Sequence, residues 1–439
     1  MLNKFLFKQI DNSSLIVFRI IFGALCFLES VGAIFTGWVT RTLVEPKFTF
    51  NFIGFEFLQP LPGNWMYVYY VLMGIFGLLI MLGYKYRLSM LAFTLMWSCT
   101  YLMQKSSYNN HYYLLMLLSA IMVFLPANRY ASLDAKINPN IKQISMPSWV
   151  KWVFVIQLFI LYTYASIAKI YPDWLDLSVP KQLMASKANY MIIGDLLQYK
   201  FIARLIAYGG ILYDGLVIPL LLYKPTRKYM FVASIFFHLF NSIVFQVGIF
   251  PYLALAFSLF FFEPEKVKNI FLKNKPLYTK AEIIVKGYKP ILVSIGVIYF
   301  VIQIALPLRQ HVFTDNVLWT EEGHRLSWRM MLRSKSGRTS YKIIDKATNK
   351  SEFIIMSNYL TKKQIRSASC KPDVIWQFAQ HLKKEYANKG KDIMVFVDAK
   401  VSVNGRPYRR LIDKNVDLAA VPWYWHKHSD WLLPSQLDK

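Results

Sequence analysis

Lys169 closes an otherwise apolar run, LYTYASIAKIYPDW at 161–174. A charged ammonium in or at the edge of a bilayer costs a few kcal/mol unless it faces protein or water, so such residues often mark function. The plainer reading is a lysine snorkelling to the headgroups. Apolar walls disfavour the charged form of an amine, and a neutral amine is a base. A histidine stands ready to join it: Tyr108-Asn109-Asn110-His111 opens an earlier apolar helix, the fourth, from the side at which Lys169 ends one. Asn109 and Asn110 can fix an imidazole tautomer or orient a carbonyl. His238 and Asn241 are three apart, hence on one helical face, with Ser242 beside them. A polar chamber of Lys169, His111, His238 and Asn241 is the functional expectation. Arg19 and Asp214 are further charges in apolar runs, along with Glu29 and Arg204, and an Arg19–Asp214 ion pair is the structural expectation for two of them.

These residues need helices to hold them, and the hydropathy pattern supplies nine apolar runs. They fall at about 14–36, 65–83, 88–103, 111–126, 149–169, 201–222, 230–246, 249–263 and 291–308. Gly248 and Pro251 interrupt the pair at 230–263, which could instead be one broken helix. The N-terminal stretch has Lys4 and Lys8 before its apolar residues, but Arg19 interrupts them, so it reads as a retained first span rather than a signal peptide. With nine spans and the N-terminus inside, inside segments hold 17 lysines and arginines and the short outside loops six. That bias predicts a cytoplasmic N-terminus and an exported tail.

Of the 439 residues, 55% are hydrophobic and only 17% charged, which places the chain among membrane proteins. The net charge is +26, and most of the lysines and arginines before residue 300 sit in short loops between apolar runs, a pattern that suits anionic membrane lipid rather than nucleic acid. Cys26, Cys99 and Cys370 have no paired spacing, so neither a disulfide framework nor a metal site is expected. Phosphate-cradling glycine loops and nucleophile elbows are missing from the sequence.

The predicted fold is a mainly α, polytopic transmembrane bundle over 1–308 with a small extracytosolic α+β domain over 309–439. In the tail, strand-like segments at 326–333, 340–345 and 352–357 precede an amphipathic helix at about 372–387, and Asn404-Gly405 is a hairpin-turn signal.

Several blocks also resemble a known family. YNNHYYLLMLLSAIMVFLPANRYASLDA resembles segments of the vitamin K-dependent γ-glutamyl carboxylases, and SLIVFRIIFG, LPGNWMYVYYVLMGIFGLLIMLGYKYR, ASIAKIYPDW, FFHLFNSIVFQVGIFPY, LSWRMMLRSK and VSVNGRPYRRLIDKNVDLAAVPW follow in the same order. The resemblance extends to the wider bacterial group sharing this HTTM-type membrane domain. It implies an enzyme that couples oxidation of reduced vitamin K by O2 to γ-carboxylation of an exported glutamate-containing peptide with CO2. By the same resemblance Lys169 aligns with the catalytic base and His111 with an assisting histidine, although the carboxylases carry two adjacent lysines where this chain has Ala168-Lys169. The competing expectations are an enzyme of the same scaffold acting on another quinone or lipid, and a non-enzymatic membrane protein whose tail binds an exported partner. The oligomeric state is left open by the sequence.

Overall fold

The computed structural model describes residues 2–280, 282–435 and 437. Nine helices among them run back and forth: α1 (Ser13–Phe35), α2 (Trp65–Leu82), α3 (Tyr86–Met103), α4 (Asn110–Phe124), α5 (Trp149–Ile167), α6 (Lys200–Leu222), α7 (Lys224–Phe245), α8 (Phe250–Phe260) and α9 (Lys289–Leu308). Six of these are long and apolar enough to cross a membrane, namely α1, α2, α5, α6, α7 and the helix that begins at Lys289. The expected nine spans therefore divide into two kinds. α3 has the length but is less apolar, with Arg87, Ser89, Thr94, Ser98 and Thr100 along it. At 1.5 Å per residue, α4 and α8 reach only about 22 Å and 17 Å against a hydrocarbon core of about 30 Å, so they pack among longer neighbours rather than cross alone.

The interruption at 246–249 is a reversal, not a kink. Gln246 and Gly248 both take left-handed φ values, 51° and 63°, and turn the chain back. Arg227 at the start of α7 then pairs with Glu263 beyond the end of α8 at 3.1 Å. α1 and α2 approach closely because glycines face each other's backbones. A Cβ on Gly23 would lie 2.3 Å from the Met81 nitrogen, and one on Gly77 2.6 Å from that of Phe27. At the end of the bundle that carries the N-terminus, β1 (Gln9–Asp11) pairs antiparallel with β2 (Ser145–Pro147), and Lys275 makes a buried ion pair with Asp11 at 2.7 Å.

The tail forms an antiparallel sheet in the order β4-β3-β5-β6, from β3 (Lys335–Asp345), β4 (Ser351–Ile354), β5 (Ile393–Val403) and β6 (Arg409–Arg410). Period-two burial along β3 and β5 turns Tyr341, Ile343, Val395 and Val397 inward. Two helices lie between β4 and β5 in the chain: α10 (Lys362–Ala368) and α11 (Pro372–Ala387), whose Val374, Ile375, Phe378 and Leu382 share the core of the sheet. Asn404 and Gly405 take the left-handed φ values that a two-residue hairpin turn requires, 54° and 80°. Segment 326–333 corrects the sequence reading: it is no strand. Leu326, Trp328 and Met331 have positive φ, and Trp328 is fully buried in the core of the helical bundle. An alternation that looked like a sheet edge comes from side chains anchoring a loop.

The tail sits on the bundle end opposite the N-terminus. Asp373, in the first turn of α11, forms ion pairs with Lys105 from the α3–α4 connection at 2.5 Å and with Arg325 at 2.6 Å. Asp173 binds Arg406 and Asn404, and Asn110 donates to the Arg329 carbonyl at 2.9 Å. Burial alone would raise the Asp373 carboxyl, but Arg325 and Lys105 outweigh it and hold it below the usual carboxylate range. A carboxyl depressed in the folded state contributes stability that is present above its unfolded value, roughly pH 4, and lost as the pH falls towards the folded value. Asp373→Asn should lower stability at pH 7 by about 3–5 kcal/mol, as for other broken buried pairs. Melting temperatures between pH 7 and pH 3 should show the gap from wild type narrowing below about pH 4; a gap that stays constant would exclude the ion pairs as its cause.

Candidate active site

Lys169 lies two residues past the end of α5, where the chain leaves the helix for the short turn Pro172–Leu175. Its Nζ donates back to the Ala165 carbonyl at 3.0 Å and forms a buried ion pair with Asp214 of α6. The Trp174 ring lies 5.9 Å from the ammonium and donates its own N–H to the Ala207 carbonyl. Lysine and aspartate are 8% and 6% exposed, so the pair is shut away from solvent and each partner offsets the burial cost of the other.

This pair contributes to the wall of a cavity of about 620 Å³. His111, Tyr162, Tyr213, Asn241 and Phe250 line it, together with Met330 and Met331 from the tail's anchored loop. Most of the remaining wall is aliphatic or aromatic. Phe236 and Leu205 belong to that wall yet are 70% and 56% exposed on the outside of the bundle, so the cavity borders the lipid-facing surface. Two π-helical stretches flank it, Leu205–Gly209 within α6 and Asn241–Phe245 at the end of α7. Such insertions occur frequently at functional sites.

The two histidines stand on either side of Phe250. His111 stacks on its ring at 4.3 Å between centroids, and His238 meets it edge-on at 5.8 Å. His238 Nε2 lies 3.1 Å from the Tyr213 hydroxyl and 3.3 Å from that of Tyr162. Both imidazole Nδ1 atoms are buried without a hydrogen-bond partner in the protein. His238 is not itself on the cavity wall; it backs the two tyrosines that are.

Of the expected chamber, Lys169, His111 and Asn241 share one cavity and His238 stands behind it. Asn109 and Asn110 do other work. The Asn109 side chain accepts from the Tyr112 N–H at 2.7 Å and caps α4, while Asn110 accepts from the Tyr108 hydroxyl and holds the tail loop. Ser242 lies 3.1 Å from the Tyr252 hydroxyl and is not on the wall.

The expected Arg19–Asp214 pair does not form. Arg19 is fully buried, and its guanidinium donates to the carbonyls of Met81, Ala127 and Ala131 at 3.3, 3.0 and 2.6 Å. Met81 lies in the last turn of α2, where unpaired carbonyls and the helix dipole favour a cation. The partner missed from the sequence is thus Asp214 for Lys169. Its signal was present, since both are lone charges in apolar runs, but charge inventory does not specify pairing.

Fold and site together define a multi-pass membrane protein in which a helical bundle carries a lysine-containing apolar cavity beneath an α+β cap. Residues 7–265 match the HTTM domain family, and residues 288–438 match the lumenal domain of vitamin K-dependent gamma-carboxylase. The chain belongs to the HTTM-domain family, of the vitamin K-dependent gamma-carboxylase type. No solved structure matches it.

If the ion pair is what makes both charges tolerable, removing either one leaves the other buried and unpaired. Lys169→Met and Asp214→Leu should each cost about 3–5 kcal/mol, whereas the double variant should recover most of that loss. A thermal-unfolding cycle on the four proteins measures the coupling; simply additive losses would count against it.

Proposed function

We propose that the protein is a membrane γ-carboxylase that uses reduced vitamin K, O2 and CO2 to carboxylate glutamate in an exported peptide, with its site at the tail end of the bundle. The observation that carries this reading is the Lys169–Asp214 pair on the wall of an apolar cavity shared with His111. The lysine- and arginine-rich loops at the N-terminal end are then cytoplasmic.

The cavity fits a quinol in kind: aliphatic and aromatic walls suit a ring and its hydrocarbon tail, and Leu205 and Phe236 border a route from the bilayer. When bound, reduced vitamin K supplies with O2 the oxidative drive for removing a glutamate γ-proton. Lys169 Nζ is the proton acceptor of the site. To act as a base it must first become a free amine, and Asp214, its direct partner, is the group positioned to take the proton that Nζ gives up. Tyr162 and Tyr213, both bonded to His238 behind them, fix one side of the cavity. His111 lines the cavity and is the group assigned to a reacting carboxyl group. Met330 and Met331 close the cavity from the tail side, where a peptide would approach.

The test is incorporation of labelled CO2 into a glutamate-containing peptide by the purified chain with reduced vitamin K and O2. Lys169→Ala should lower the rate by about 10²–10⁴-fold, the usual range for a general base. The Lys169→Met/Asp214→Leu double variant should be equally inactive although its stability is recovered, which separates chemistry from folding. Retained incorporation in the double variant would remove Lys169 from the role of base. Epoxidation without incorporation by the wild type would mean another acceptor.

His111→Ala should reduce carboxylation more than epoxidation of the quinol. Comparing the two product rates in one reaction reads this out, and an unchanged ratio would make His111 structural.

A further inference from the structure

A second cavity, of about 680 Å³, lies at the opposite end of the bundle and has no part in the proposed reaction. The 19-residue helix α5 separates the two, since Trp149 at its start lines this one and Lys169 lies past its end, about 28 Å away at 1.5 Å per residue. Arg87, Arg129, Lys142 and Lys286 line it, and no aspartate or glutamate does. Among the described residues none of these four cations forms an ion pair. Some cations at the same end are paired, Lys275 with Asp11, Arg227 and Lys266 with Glu263, Lys280 with Glu282; what sets these four apart is that they line one cavity.

Two donors inside the cavity lining also lack a partner. Arg129 Nε and the Trp149 indole N–H are both buried with no hydrogen-bond acceptor among the described residues. Among the described residues the Arg129 guanidinium has one long bond, to the Ile141 carbonyl at 3.4 Å, and Lys142 sits over the Tyr130 ring at 5.1 Å. Buried donors without acceptors are costly, and four unpaired cations around them call for an anion with several acceptor oxygens. Gln9, Gln143 and Ser145 add neutral polar groups to the lining, and Phe7, Phe124, Pro126 and Pro147 give it an apolar wall. Phe124, the last residue of α4, is 71% exposed and carries the apolar wall to the outer surface of the bundle.

We propose that this cavity binds the phosphate of an anionic phospholipid headgroup, with Arg129, Lys142, Arg87 and Lys286 around the phosphate and an acyl chain along Phe124. Basic pockets between helices at a cytoplasmic face recognise such headgroups. The apolar wall distinguishes a lipid from a free phosphate, which would gain nothing from it.

The full chain, delipidated in neutral detergent, is titrated at constant ionic strength with phosphatidylglycerol, phosphatidylcholine or inorganic phosphate while thermal unfolding is followed. Phosphatidylglycerol should raise the melting temperature by about 3 °C or more and phosphatidylcholine should not. The shift should vanish in Arg129→Gln/Lys142→Gln and persist in Lys266→Gln/Lys280→Gln, which removes the same charge from paired lysines. Equal loss in both variants would reduce the effect to surface charge and overturn the site. An equal shift with inorganic phosphate would overturn the lipid assignment. Should the first variant fail to fold, native mass spectrometry of the wild type decides: one phosphatidylglycerol retained supports the proposal, and none overturns it.

Discussion

The need to neutralise Lys169 organises the cap-side half of the bundle. An ammonium buried beside apolar helices requires a counter-charge, and Asp214 supplies it from α6. Two helices that share a buried ion pair cannot slide past each other without separating charges in a low dielectric. Their relative register is thereby fixed at the point where the cavity begins. The Ser166 hydroxyl, donating to the Ile211 carbonyl at 2.9 Å, ties the same two helices together one turn away.

The cap depends on a second set of buried charges. Asp373, flanked by Lys105 and Arg325, and Asp173, flanked by Arg406 and Asn404, fasten the tail to loops of the bundle. Each is a directional contact in which one carboxylate serves several donors, which fixes orientation as well as distance. The consequence reaches the site. With the cap seated, the loop at 326–333 buries Trp328 in the helical core and places Met330 and Met331 on the cavity wall. Tyr171, two residues beyond Lys169, bonds the Leu332 carbonyl in the same loop. Bundle and cap therefore build the cavity jointly, and neither would enclose it alone.

The two ends of the bundle solve the problem of charge differently. At the cap end nearly every buried ion has a partner in the chain, which suits a cavity whose chemistry depends on where protons sit. At the N-terminal end a ring of cations has none, and its surroundings combine donors with apolar surface. The loops at that end are rich in positive charge, and the geometry gathers part of it around a cavity.

The sequence by itself determined the apolar helices, the alternation of the tail strands, the Asn404-Gly405 turn and the identity of the few charges within the bundle, because hydropathy, period and backbone preference are local properties. It also marked Lys169 and His111 as residues needing an explanation. Pairing was not local. Arg19 and Lys169 each needed acceptors, and sequence offered Asp214 to the wrong one, since it carries no record of which helices touch. The same limit hid the roles of Asn109 and Asn110, which turn to a helix cap and the tail loop rather than to His111. It also hid the loop at 326–333, whose alternating side chains imitate a strand until the φ values and the burial of Trp328 are seen. Which apolar residues face lipid and which enclose a cavity was decided only by packing, because a helix apolar on all sides looks the same in sequence from every direction.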